Sequence, residues 1–202
     1  MVKRKNKKLT TCPITGIKCD STEEIYFIWW LEDLKKLGYV ENYYRSETYE
    51  LSVKIHYDDK TDKKIKQKSL LRNHVYTPDF TIVWNKKSES IFYCLADNVN
   101  QVNIPIINVE ESQNNISLIE IKGSIVGRND RGGSVSKFIV NQKWMYDKYT
   151  LYVNLIQIKK LFIQTFTPKR YLLTDSGSLK RKINWPIRTA EQYIKYRQNA
   201  KT

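Results

Sequence analysis

A short apolar strand carrying two charged side chains, Ser117–Gly123, constrains this chain more than any other stretch. It reads Ser-Leu-Ile-Glu-Ile-Lys-Gly. Because side chains alternate across a strand, Glu120 and Lys122 point to one side while Ile119 and Ile121 point to the other. The apolar side can face a core, and a glycine directly after the strand lets backbone or a ligand come close. The sequence therefore predicts a half-buried strand with a carboxylate and an ammonium group side by side.

A second acidic strand is predicted upstream, within Asn73–Trp84. Pro78 inside this run indicates an edge or a bulge, because proline cannot donate a hydrogen bond to a neighbouring strand. Such a position can re-aim the next side chain, Asp79. We therefore expect Asp79 to belong to the same site as Glu120 and Lys122.

A third carboxylate opens the clearest helix, which we expect to run from Ser21 to about Leu37. Ser21 as N-cap with Glu24 three residues on has the spacing of a capping box. Glu24 also shares the helix face of the apolar side chains that follow it, namely Phe27, Ile28, Leu31 and Leu34. Two roles for Glu24 stay open, a cap and an inward-facing metal ligand, and Glu23 is the alternative for the second.

The charge balance points to a polyanionic partner. Lysine and arginine number 35 against 21 acids, which gives a formal charge of +14. Nucleic acid is the usual partner of such a surplus, an anionic membrane surface a less common one, and a merely soluble basic surface the plain alternative. No apolar run reaches the roughly 18 residues of a membrane helix, so we expect a cytoplasmic protein.

The cysteines predict neither a disulfide framework nor a zinc site. Their number, three, is odd and fits reduced thiols. Cys12 and Cys19 flank a Pro and Gly turn, but a structural zinc site normally has four ligands. The other candidate ligands, Cys94, His56 and His74, lie far away in sequence. We therefore expect the segment from Cys12 to Cys19 to form a small hairpin leading into the first helix.

Four regions follow from the patterning. Residues 1–10 form a basic flexible arm, and 11–158 form one α/β domain in which 85–117 is an inserted hairpin. Residues 159–202 form a C-terminal extension packed on the same domain, extended over 161–174 and ending in a helix at 189–198. In this extension Lys180, Arg181 and Lys182, with Trp185 and Arg188, either touch nucleic acid or form an ordinary solvated surface.

Two further features lie between the strand of Glu120 and residue 150. A glycine-rich loop at 127–134 carries Arg128 and Arg131, which predict either a phosphate clamp or simple flexible linkage. A helix is expected from Val135 to about Tyr149. On it Gln142 and Tyr146 stand four residues apart and hence on one face, where they support the site or simply pack.

The three carboxylates together favour a metal-dependent chemistry. Glu24, Asp79 and Glu120 offer oxygen ligands, which select Mg²⁺ or Mn²⁺ over zinc. An ion there polarises a phosphodiester and lowers the pKa of a water, while Lys122 orients that water and stabilises charge on phosphorus. The predicted reaction is phosphodiester hydrolysis.

The residues Pro78-Asp79 and Glu120-Ile121-Lys122 resemble the signature of the PD-(D/E)XK nuclease superfamily. With the helix opened by Glu24 before them, their order is similar to phage endonuclease I-type Holliday-junction resolvases and TnsA-like transposon nucleases. Gln142 to Tyr146 also resembles the Gln-x-x-x-Tyr helix motif of RecB-like members. About forty residues separate Asp79 from Glu120, where that superfamily usually has a short hairpin.

The resemblance implies a restriction-endonuclease-like α/β fold, a mixed central β-sheet flanked by helices. It implies metal ligation by Glu24, Asp79 and Glu120, a catalytic Lys122, and support or DNA contact from Gln142 and Tyr146. The expected function is a Mg²⁺-dependent DNA endonuclease, with branched DNA as one substrate. Its partners would be DNA and either a second copy or a recombination or transposition protein, in the host cytoplasm for a phage protein. The alternatives are an RNA nuclease and a catalytically inactive nucleic-acid-binding or structural protein on the same fold.

Overall fold

A computed structural model describes the protein at residues 9–59, 66–95, 107–109, 115–123, 134–174, 176–180 and 183–199. Its strands are β1 Thr10–Thr11, β2 Lys18–Cys19, β3 Val40–Arg45, β4 Tyr49–Ser52, β5 Ile55–Asp59, β6 Lys66–Leu71, β7 His74–Tyr76, β8 Phe80–Trp84, β9 Tyr93–Leu95, β10 Ile107–Val109, β11 Ile116–Lys122 and β12 Val153–Gln157. Its α-helices are α1 Thr22–Lys36, α2 Ser134–Tyr149, α3 Ile158–Gln164 and α4 Ala190–Asn199.

Four strands form the central sheet, in the order β12-β11-β8-β3. β8 pairs antiparallel with both β3 and β11, whereas β11 pairs parallel with β12. A parallel pair needs a long crossover, and α2 lies in the connection between β11 and β12. The predicted α/β class with a mixed, helix-flanked central sheet is confirmed.

Helix α1 packs on one face of this sheet. Ser21 is its N-cap, as predicted, and Gly38 follows its end with a φ of 72° that favours glycine. The apolar face of α1 is buried against β8, where Phe27 lies 5.6 Å from Phe80 between ring centroids. The same core cluster takes in Phe166 and Tyr193 from beyond residue 158.

Helix α2 covers a second, smaller cluster. Phe138 and Met145 of α2 are buried there with Leu118 of β11 and Val153 of β12. Leu118, Glu120 and Lys122 lie on the same side of β11, because side chains alternate along a strand. Since Leu118 is buried under α2, this side of β11 also faces protein.

Several element predictions hold. The hairpin around Cys12 and Cys19 forms as β1 and β2, and both thiols are buried and free. The helix expected from Val135 begins at Ser134, and the terminal helix spans Ala190–Asn199.

Two element predictions are wrong. The insertion at 85–117 is not a hairpin in its described part, because β9 and β10 pair in parallel. In the sequence, residues 96–106 separate the two strands, and this is close to the length that a parallel connection needs. The run 161–174, expected to be extended, holds most of α3 and a 3-10 helix at Lys169–Leu172. A short apolar run does not distinguish a strand from a buried helix.

Within the described ranges, no helix combines the length and the apolarity needed to cross a membrane.

Candidate functional site

Asp79 and Glu120 lie opposite each other where two central strands meet. Phe80, the first residue of β8, pairs with Ile119 of β11. One position further along this antiparallel ladder, Asp79 stands across from Glu120, and opposed side chains share one face. The Asp79 Oδ2 atom accepts a hydrogen bond from the Ile121 N–H at 2.6 Å. The strand ends therefore bring Asp79 to the charged side of β11.

Glu120 is buried, with 7% of its surface exposed, and both of its carboxylate oxygens are occupied. Its Oε1 atom accepts from the ammonium group of Lys122, with which it forms an ion pair. Its Oε2 atom accepts from the hydroxyl of Tyr76 at 2.8 Å, and burial together with this carboxylate raises the pKa of Tyr76. Lys122 and Tyr76 thus fix the orientation of the Glu120 carboxylate.

Glu24 caps helix α1 and is at the same time buried. Its backbone N–H donates to the Ser21 hydroxyl at 3.3 Å, and that hydroxyl donates to Glu24 Oε1 at 3.0 Å. The Oε2 atom accepts from the Asp20 N–H at 3.1 Å. The side chain is nevertheless buried, with 4% of the residue exposed, so this cap faces the protein interior.

Arg45, the last residue of β3, is a site residue that the sequence patterns missed. Its guanidinium lies 2.5 Å from Glu24 Oε2 and 3.7 Å from Asp20 Oδ2, and it covers the ring of Phe80 at 4.9 Å. Its side chain is 35% exposed, so it also borders solvent. No spacing rule connects two residues on different elements, and a cation at a strand end is the only local signal it gives.

The environment of Asp79 changes the pKa of its carboxyl group. Burial, followed by the negative charges of Glu120 and Glu24, raises its pKa from 3.8 to about 7. The Ile121 N–H and Arg45 act in the opposite direction and are outweighed. Because both glutamates raise this pKa, each lies within electrostatic reach of Asp79.

Glu23, the alternative to Glu24, also reaches the end of β11. Its Oε1 atom lies 3.7 Å from the position that a Cβ would take at Gly123. The glycine thus leaves space beside a second carboxylate at the start of α1. Both glutamates stay candidates as ligands.

The donor set suits Mg²⁺ or Mn²⁺ by its chemistry, since three elements supply one carboxylate each. Among the described residues, however, no three acidic, histidine or cysteine side chains are grouped to hold a metal ion as they stand. Glu24 faces Arg45, and Glu120 faces Lys122.

Gln142 and Tyr146 lie together on one side of α2. Gln142 donates to the Val153 carbonyl at 2.6 Å and so ties α2 to β12. Both residues line an open cavity of about 750 Å³, whose other lining residues are Lys143, Trp144, Asp147 and Tyr152. In the described part of the chain, no hydrogen bond joins either side chain to Glu24, Asp79, Glu120 or Lys122. Arg128 and Arg131 lie outside the described residues.

Comparison with known proteins gives no match to a family model, a curated protein or a solved structure.

Proposed function

We propose that this protein is a metal-dependent nuclease that hydrolyses phosphodiester bonds in DNA, on a restriction-endonuclease-like fold. The observation that carries the proposal is the meeting of Asp79, Glu120 and Lys122 where β8 starts and β11 ends, with Glu24 within electrostatic reach of Asp79. Carboxylates on adjacent strands and one lysine are the groups that metal-assisted hydrolysis of a phosphodiester requires.

Glu24, Asp79 and Glu120 are the residues that would hold Mg²⁺ or Mn²⁺. When bound, the ion supplies charge to polarise the phosphodiester and to lower the pKa of a water molecule. Tyr76 keeps one oxygen of Glu120 fixed by its hydrogen bond, so the carboxylate is oriented before substrate arrives. Such orientation lowers the cost of reorganisation during the reaction.

Lys122 has two successive tasks in this proposal. Without metal it neutralises Glu120. If a bound metal ion compensates the charge of Glu120 instead, the ammonium group of Lys122 can donate to the attacking water or to the phosphate oxygens. Arg45 stands in the same relation to Glu24, and its partial exposure lets it meet a phosphate.

The charge of the whole chain supports a nucleic acid as substrate. A cluster of carboxylates repels a polyanion, whereas a formal charge of +14 attracts it and speeds the encounter. RNA satisfies the same argument, so the substrate panel below includes it.

The first experiment measures cleavage by three variants, Asp79→Ala, Glu120→Ala and Lys122→Ala, in Mg²⁺. We expect each to lose at least about 100-fold in cleavage rate while DNA affinity in EDTA stays within about two-fold of the wild type. The matched control is Glu41→Ala, which removes an exposed carboxylate at the other end of β3. Cleavage retained by all three site variants would reject the proposal.

The substrate is identified by a panel of linear, nicked, single-stranded and four-way-junction DNA, with an RNA of the same sequence. Two cuts related by near two-fold symmetry on a junction would require two copies of the chain. The mass of the protein on each substrate, measured by sedimentation, therefore separates a junction-cutting dimer from a nicking monomer.

A second candidate is a nucleic-acid-binding protein without catalysis. The observation in its favour is that Arg45 and Lys122 already neutralise Glu24 and Glu120 without any metal. Calorimetric titration with Mn²⁺ distinguishes the two. A folded protein that binds DNA but takes up no Mn²⁺ would support this second candidate and argue against the nuclease.

A further inference from the structure

Four aromatic rings on α1 and on the segment that follows α3 pack against the core cluster and stay partly exposed. Tyr26 and Trp29 come from α1, Tyr171 from the 3-10 helix, and Trp185 from the stretch before α4. Ring centroids are 5.2 Å apart for Tyr26 and Trp29, 4.8 Å for Tyr26 and Tyr171, and 6.2 Å for Tyr171 and Trp185. The rings form one continuous row, although they come from distant parts of the sequence.

Three cations lie over these rings. The Lys180 ammonium is 4.4 Å from the Tyr171 ring centre and 5.6 Å from that of Tyr26. Arg170 lies 5.6 Å from the Trp29 ring, and Lys159 lies 5.8 Å from the Trp185 ring. None of the ion pairs between described residues involves these cations. We call the four rings and three cations the aromatic–cation surface.

We propose that the aromatic–cation surface binds a single-stranded segment of nucleic acid. Aromatic rings stack on bases only where the bases are unpaired, and neighbouring cations contact the phosphates that link them. A duplex would present phosphates but keep its bases stacked inside, so it would use the cations and leave the rings without a role. The combination of rings with nearby cations therefore favours a single strand over a duplex.

The surface begins close to the candidate site. Tyr26 follows Glu23 by three residues on α1, so the two side chains lie on neighbouring turns of one helix side. Glu23 itself reaches Gly123 at the end of β11. For its link to a substrate this inference rests on the proposed nuclease function. It then predicts a DNA in which a single-stranded branch or flap adjoins the bond to be cut.

Of the basic cluster noted in the C-terminal sequence, Lys180 and Trp185 belong to this surface. Arg188 does not, because its guanidinium donates to the carbonyls of Ile163 and Gln164, at 2.9 and 3.3 Å. Arg181 and Lys182 lie outside the described residues.

The test measures binding by the full chain in EDTA, so that no cleavage occurs. Fluorescence anisotropy gives Kd for a labelled single-stranded oligothymidylate and for a duplex of the same length. The variant is Lys159→Ala/Arg170→Ala/Lys180→Ala. The matched control, Lys160→Ala/Lys169→Ala/Lys195→Ala, removes the same charge from exposed lysines of the same region.

We expect the surface variant to weaken single-strand binding at least about ten-fold, and the control to weaken it by less than about three-fold. The Kd for the duplex should change by similar, small factors in the surface variant and in the control variant. Equal losses in the two variants would overturn the proposal, because the cations would then act only through net charge. No loss in either variant would also overturn it, because the three cations would then not contribute to binding.

Trp185 tests the stacking directly. Trp185→Phe keeps an aromatic face and should retain single-strand affinity within about three-fold, whereas Trp185→Leu should lose it by about ten-fold. Thermal unfolding of each variant checks the fold, and Lys180→Ala alone replaces any variant that unfolds. If cleavage were never observed but the EDTA pattern held, the nuclease proposal would fail and the binding surface would stand.

Discussion

Asp79 differs from the other two carboxylates of the candidate site in its partners. Glu24 faces Arg45 and Glu120 faces Lys122, whereas Asp79 accepts a backbone N–H from Ile121. Its pKa of about 7 follows from burial and from the two neighbouring glutamates. Near neutral pH, then, the Asp79 carboxyl of the metal-free site is partly protonated.

This raised pKa makes the metal-free protein less stable as pH rises. The folded-state pKa of about 7 exceeds the unfolded value of 3.8, so folding favours the protonated carboxyl. Its contribution is fully present below about pH 4 and is lost as pH rises to about 7, at about 1.4 kcal/mol per pKa unit. We expect Asp79→Asn in EDTA to be more stable than the wild type at pH 7.5 by up to about 4 kcal/mol.

Urea unfolding of both proteins between pH 4.5 and 8 measures this difference. Asparagine retains an oxygen for the Ile121 N–H, so the comparison isolates the charge. If the free energies of unfolding of the two proteins changed with pH in parallel, a raised pKa of Asp79 would be contradicted. Added Mg²⁺ should stabilise the wild type and leave Asp79→Asn nearly unchanged, because the variant lacks one carboxylate ligand.

Helix α1 links the fold to the candidate site through its first turn. The Ser21 hydroxyl both accepts from the Glu24 N–H and donates to Glu24 Oε1. We expect Ser21→Ala to lower the free energy of unfolding by about 1 kcal/mol, as loss of a helix cap does. Ser21→Thr keeps both hydrogen bonds and should lose less than about half of that.

The same substitution tests whether the cap orients Glu24. If it does, Ser21→Ala should also raise the Mg²⁺ concentration for half-maximal cleavage, whereas Ser21→Thr should not. Chemical unfolding and a Mg²⁺ titration of cleavage give the two readouts. An unchanged Mg²⁺ requirement with reduced stability would assign Ser21 to the helix alone.

The elements of the site differ in how far sequence reveals them. Alternation along β11 predicts that Glu120 and Lys122 share a side, and the ion pair between them agrees with this. The capping spacing predicts the start of α1. Arg45 could not be found this way, because its contact with Glu24 depends on the packing of β3 beside β8. The parallel pairing of β9 and β10 depends on tertiary structure for the same reason.

The core of the molecule is shared between the sheet, α1 and the C-terminal part of the chain. Trp30 of α1 stacks on Phe166 at 5.6 Å and donates its indole N–H to the Thr165 hydroxyl at 3.1 Å. Tyr193 of α4 packs on Phe92 at 5.6 Å and donates to the Ile91 carbonyl at 3.2 Å. Segments far apart in sequence thus complete one cluster, which no local pattern predicts.

Tyr193 therefore contributes to the stability of the whole domain and not of α4 alone. We expect Tyr193→Ala to lower the free energy of unfolding by about 3–5 kcal/mol, because a fully buried ring is removed. Tyr193→Phe loses only the hydrogen bond to Ile91 and should lose about 1 kcal/mol. Far-UV circular dichroism and tryptophan fluorescence, followed in urea, should give one coincident transition for each variant. A separate early transition in Tyr193→Ala would instead show that α4 unfolds on its own and that the cluster around Trp30 is stable without it.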